Sequence, residues 1–132
     1  MGKSRSSKNK GQNSLRKSDK SSTQSSYIAV DVGFQGFKDD FSKLEVDEIS
    51  DFFDAISRLQ KMTWQQLWDT STKKAGEKRG FNYEKIEGQT TPGGNPVHSI
   101  RITKKFRARV SRQDRWMRFI SLHPDHDSTY KK

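Results

Sequence analysis

The stretch that decides the fold is Val97-His98-Ser99-Ile100-Arg101-Ile102-Thr103, taken with Phe106-Arg107-Ala108-Arg109-Val110 and the run from Trp116 to Leu122. Successive side chains of a strand point to opposite faces, so strict alternation marks a half-buried strand. Ile100 and Ile102 fall on one face, and Ser99, Arg101 and Thr103 on the other. Phe106, Ala108 and Val110 repeat the pattern opposite Arg107 and Arg109, with Lys104 and Lys105 at the bend and Asp114 in a hairpin turn. These strands predict a sheet with one apolar face and one arginine face.

Upstream, Thr90-Thr91-Pro92-Gly93-Gly94-Asn95-Pro96 is dense in turn formers, Phe81 to Ile86 reads as a short strand, and residues 70–80 read as a loop. Tyr27 to Val32 is a β-branched and aromatic run that stops at Gly33, hence another strand. Between them, Ile49, Phe52, Phe53, Ile56 and Leu59 form the stripe of an amphipathic helix. Asp47 and Glu48 suit its positive end, and Arg58 and Lys61 suit the other. Thr63 followed by Gln66 is a capping-box pattern, which predicts a second helix from Trp64 to about Trp68. The plan is α+β: a small antiparallel sheet packed against an α-helical hairpin.

The chain has 132 residues, room for one domain, and only 29% of them are hydrophobic. Residues 1–26 hold seven of the 26 basic side chains, one acid and, after Met1, one large apolar residue, Leu15. Such a stretch cannot offset its ordering entropy. The expected division is therefore a disordered basic tail at 1–26 and a folded domain at 27–132. The tail suits either a solubilising extension or a nonspecific tether to RNA or the ribosome. No apolar run is long enough to cross a membrane or to follow the basic N-terminus as a secretory signal, so a cytoplasmic protein without a membrane partner is expected. With no cysteine there is no disulfide, thiolate nucleophile or Cys-bearing zinc site.

The net charge of +10 is unevenly spread. Residues 39–54 contain seven acids and one Lys, whereas residues 101–118 contain eight basic residues and one acid. Arg101, Arg107, Arg109 and Arg118, with Lys104 and Lys105, are candidate phosphate-binding residues, because a guanidinium makes two parallel charge-assisted hydrogen bonds to phosphate. The plainer reading is a solvated sheet face. His123, His126 and Tyr130 follow within eight residues and can move protons near neutral pH. Cleavage of a phosphodiester by its neighbouring 2′-hydroxyl needs a base, a cation and an acid, which these residues and the arginines together supply without a cofactor. Two alternatives stay open for His123, Asp125, His126 and Asp127, a metal site or a plain polar loop.

The segments Val97–Ile102, Lys105–Val110 and Phe119–Asp127 resemble the RelE/ParE superfamily of toxin–antitoxin toxins, as does the helix junction from Leu59 to Trp68. The resemblance spans residues 28–130 and leaves out the basic tail. It implies a small antiparallel sheet on an α-hairpin. RelE-like members act as endoribonucleases that cut mRNA on the ribosome, whereas ParE-like members inhibit DNA gyrase. By the same resemblance, Arg107 falls where a phosphate-stabilising arginine follows an aromatic residue, and Arg101 at an often basic position on the preceding strand. His126 and Tyr130 fall where RelE-like toxins keep an acid or a stacking aromatic. The expectation is a metal-independent mRNA endoribonuclease toxin with His126 or His123 and Arg107 catalytic, held in check by a cognate antitoxin. The alternatives are a noncatalytic topoisomerase inhibitor and a simple RNA- or ribosome-binding protein.

Overall fold

A computed structural model describes residues 23–71 and 80–124. The expectations for the tail before Thr23, and those for His126 and Tyr130, lie outside the described residues. After a 3₁₀ turn at Thr23–Ser25 come β1 (Ala29–Asp31), α1 (Gln35–Phe41), α2 (Val46–Leu59) and α3 (Trp64–Ser71). Four strands follow: β2 (Glu84–Thr90), β3 (Pro96–Arg101), β4 (Arg107–Gln113) and β5 (Trp116–His123). They form one five-stranded sheet in the order β1-β5-β4-β3-β2, so the fold is α+β.

The sheet is mixed, which corrects the antiparallel expectation. Hairpin connections make β2 through β5 antiparallel, but β1 runs parallel to β5, with Ala29, Val30 and Asp31 opposite Trp116, Met117 and Arg118. No hairpin constrains a strand so distant in sequence.

The helices follow their local signals. In α2 the Glu45 backbone N–H donates to the Glu48 carboxylate at 2.9 Å and the Glu48 N–H faces the Glu45 side chain, a capping box. At α3 the box is reciprocal: Thr63 N donates to Gln66 Oε1 at 2.9 Å and Gln66 N to Thr63 Oγ1 at 3.1 Å. The predicted hairpin is joined by a third helix, α1, which sequence reading missed. Its seven residues contain Gly36 and carry no side-chain N-cap, so its own propensity is poor. Packing supplies what propensity lacks: the Phe37 ring lies 5.4 Å from Phe52 and 6.0 Å from Phe119. Those rings join Leu59, Trp64 and Leu67 from the helices and Ile100, Val110, Met117 and Leu122 from the sheet in one buried core.

Contacts among the described residues reach back to Thr23. Arg112, on the helical face of β4, donates to Asp114 O at 2.8 Å, Gln24 Oε1 at 3.0 Å and Thr23 Oγ1 at 3.2 Å. Its guanidinium stacks over the Trp64 ring at 4.2 Å. Stacking and charge-assisted hydrogen bonds of this kind should make Arg112→Ala lose about 2–3 kcal/mol of unfolding free energy. Urea denaturation reads this directly, and a loss under about 0.5 kcal/mol, typical of ordinary surface substitutions, would mean that the 3₁₀ turn is a passenger.

Candidate functional site

The sheet face turned away from the helices carries the predicted site. The register sets its residues in rows that cross the strands. The first row is Arg101, Arg107 and His123, the second is Glu84, Ser99, Arg109 and Ser121, and the third is Val97, Ser111, Arg118 and Asp31. Arg101, Arg107 and Arg109 therefore share one face, as the alternation predicted, and Arg118 and His123 join it because the register shift at Ile120 offsets the alternation of β5 by one residue. Lys104 and Lys105 are exposed on the turn before β4, beside the Arg107 end of the first row.

Like charges directly opposite each other repel, and Arg101 faces Arg107. Separate backbone carbonyls draw the two apart. The Arg107 guanidinium donates to Thr103 O at 3.0 Å and Lys104 O at 3.1 Å, whereas Arg101 reaches Gly80 O at 3.5 Å. Arg118 is engaged differently: its Nε donates to Asp31 Oδ2 at 3.0 Å. The Gly33 N–H and Arg118 together hold the Asp31 carboxyl below its usual range, against the opposing effect of burial. Arg109 makes no hydrogen bond or ion pair among the described residues, so its guanidinium is available to an anion.

His123 is half-buried, and its Nε2 lies 2.9 Å from Ser121 Oγ. Burial, and then the Arg109 charge, lower its pKa below the ordinary imidazole value, while Asp40 acts the other way. The neutral ring is thus favoured at pH 7, as a proton acceptor requires. Ser121 was not singled out from the sequence. Its signal was present, since residues i and i+2 of a strand share a face.

Above the second and third rows the face is concave. A groove of about 350 Å³ is walled by Phe34 on one side and, on the other, by the end of β2 and the turn after it, Gln89 to Gly93. Its floor includes Val97, Arg109, Gln113, Arg118, Ile120 and Ser121. The pairing of β2 with β3 shifts register between Lys85 and Thr90, where Gly88 adopts φ 78°. That backbone is strained for any residue with a Cβ, and such irregularities bend a strand, here carrying the turn over the arginine face. Nothing in the alternation pattern announces this wall.

No family model matches the chain, and no curated protein or solved structure matches it. Among the described residues no three His, Asp or Glu side chains converge on a possible metal position. Of the His123, Asp125, His126 and Asp127 alternative, only His123 is described. Among the same residues no helix is long and apolar enough to cross a membrane.

A second histidine tests the electrostatics of the fold. His98 lies on the helical face of β3, stacked on Tyr83 with centroids 4.2 Å apart, and its buried Nδ1 has no hydrogen-bond partner among the described residues. Burial, Lys85 and Arg112 lower its pKa. Burial likewise pushes the Tyr83 hydroxyl up to about 12, so the stack is neutral. Both His98 and His123 titrate lower folded than unfolded, so the unfolded chain takes up protons first as pH falls below about 6.5. The urea midpoint should hold from pH 8 to 7 and drop between pH 6.5 and 5. His98→Phe should blunt the drop. A midpoint that rises on acidification through this window would contradict the neutral assignments.

Proposed function

We propose that the protein is a metal-independent endoribonuclease of the RelE-like toxin kind, cutting mRNA on the ribosome and restrained by a cognate antitoxin. The observation that supports this reading best is the placement of a proton-accepting His123 directly opposite Arg107, with the unengaged Arg109 in the adjoining row. On this reading neutral His123 removes the proton from a ribose 2′-hydroxyl. The resulting oxygen attacks the adjacent phosphorus while Arg109 and Arg107 face the charge that accumulates on the phosphorane. The new O2′–P bond forms as the P–O5′ bond breaks, and the 5′-oxygen leaves with a proton. The acids proposed for that proton are His126 or Tyr130. Arg101, Lys104 and Lys105 would hold flanking phosphates. Arg118, bound to Asp31, contributes to the field of the face.

Cleavage of a translated mRNA should fall about 10²–10³-fold in Arg107→Ala, the usual effect of one lost electrostatic donor. His123→Ala should cost about 10²–10⁴-fold if the ring moves a proton. A 2′-deoxy substitution at the cut nucleotide should block cleavage there. In wild type the acid limb of kcat/KM should lie below about pH 6.5, and Asp40→Asn, which removes the charge that raises the His123 pKa, should move it lower still. Full toxicity of both alanine variants with no mRNA cut would favour topoisomerase inhibition instead.

A further inference from the structure

We infer that the groove between Phe34 and the β2–β3 turn is a nucleobase site that makes RNA binding base-selective. The inference rests on the reading of the arginine face as an RNA surface, and names the part of the substrate this groove would take. Its lining is unlike the rows beside His123. Phe34 precedes α1, and the residue is 38% exposed although it is large and apolar. A Cβ placed on Gly36 would come within 2.9 Å of the Phe34 ring, so the glycine leaves room for the ring to lie there. An aromatic ring held at the lip of a basic groove is a stacking platform for any base.

Selectivity needs hydrogen-bonding groups, and the groove has two whose capacity is unspent. Among the described residues the side-chain amides of Gln89, on the turn side, and Gln113, at the end of β4, make no hydrogen bond. Each offers a donor and an acceptor side by side, which is how a carboxamide reads a base edge. Arg109 lines the same groove, one pleat repeat or about 7 Å from Arg107 along β4. A base in the groove would thus have its own phosphate over Arg109 and the next toward Arg107 and His123. The volume of about 350 Å³ is that of a small-ligand site, not of a surface irregularity.

The test uses binding, so it is independent of whether the protein cuts RNA. The full chain, labelled with ¹⁵N, is titrated with AMP, GMP, CMP and UMP, and with ribose 5-phosphate as the baseless control. At least one nucleotide should bind about tenfold tighter than ribose 5-phosphate, the scale of one base stacked on an aromatic ring, with shifts of the Gln89 and Gln113 side-chain amide signals. Phe34→Ala and Phe34→Leu should both remove that gain, the second while keeping apolar volume. Gln113→Ala with Gln89→Ala should level the four affinities, whereas Arg109→Ala should weaken nucleotides and ribose 5-phosphate alike. Nucleotides that bind no tighter than ribose 5-phosphate, or a gain that survives both Phe34 substitutions, would overturn the inference even if mRNA cleavage is demonstrated. Base-selective binding without any cleavage would leave the groove assignment standing and remove the nuclease reading.

Discussion

The Asp40 carboxylate accepts a hydrogen bond from the Leu122 backbone N–H at 2.9 Å, and the site end of the sheet hangs on that contact. β1 pairs with β5 only as far as Arg118, so the remainder of β5 would otherwise be an open edge with unpaired amides. Such groups need partners when water is excluded. The register of β4 against β5 also shifts here, leaving Ile120 as the extra residue of a bulge. α1 fits against that bulge, close enough that a Cβ on Gly36 would sit 3.3 Å from Ile120 O. One carboxylate therefore closes the edge, holds α1 over the aromatic core, and places a negative charge where it acts on His123.

From this arrangement the arginine face acquires its order. Four guanidinium groups on one sheet surface would spread at random if solvent alone held them. Backbone carbonyls of the β3–β4 turn hold Arg107, and Asp31 holds Arg118, while Arg109 has no hydrogen-bond or ion-pair partner among the described residues. The cost of orienting these charges is met during folding, which is the condition for electrostatic stabilisation of a developing anion. Burial, and then the Arg109 charge, lower the His123 pKa, so the packing of this face and one of its guanidiniums together favour the neutral imidazole.

Much of this was legible in the residues. Alternation through Arg101, Arg107 and Arg109 placed these side chains on a common face, and the Thr63–Gln66 pair marked a helix start to the residue. Two parts were not legible, for physical reasons. α1 is stabilised by Phe37 against Phe52 and Phe119, a tertiary contact with no local periodicity to betray it. The parallel pairing of β1 with β5, and the wall made by the turn after Gly88, likewise depend on partners distant in sequence or on a backbone bend. Ser121 beside His123 was legible from spacing alone, since residues two apart on a strand share a face.

The most direct test of the central claim is the chemistry of the ends that the protein leaves on mRNA, read by ³¹P NMR and end-specific labelling of fragments from a translated message. Attack by a neighbouring 2′-hydroxyl at the His123 face predicts a 2′,3′-cyclic phosphate on one fragment and a 5′-hydroxyl on the other. Fragments bearing 5′-phosphate and 3′-hydroxyl ends, or an intact message under inhibiting amounts of the protein, would contradict the account.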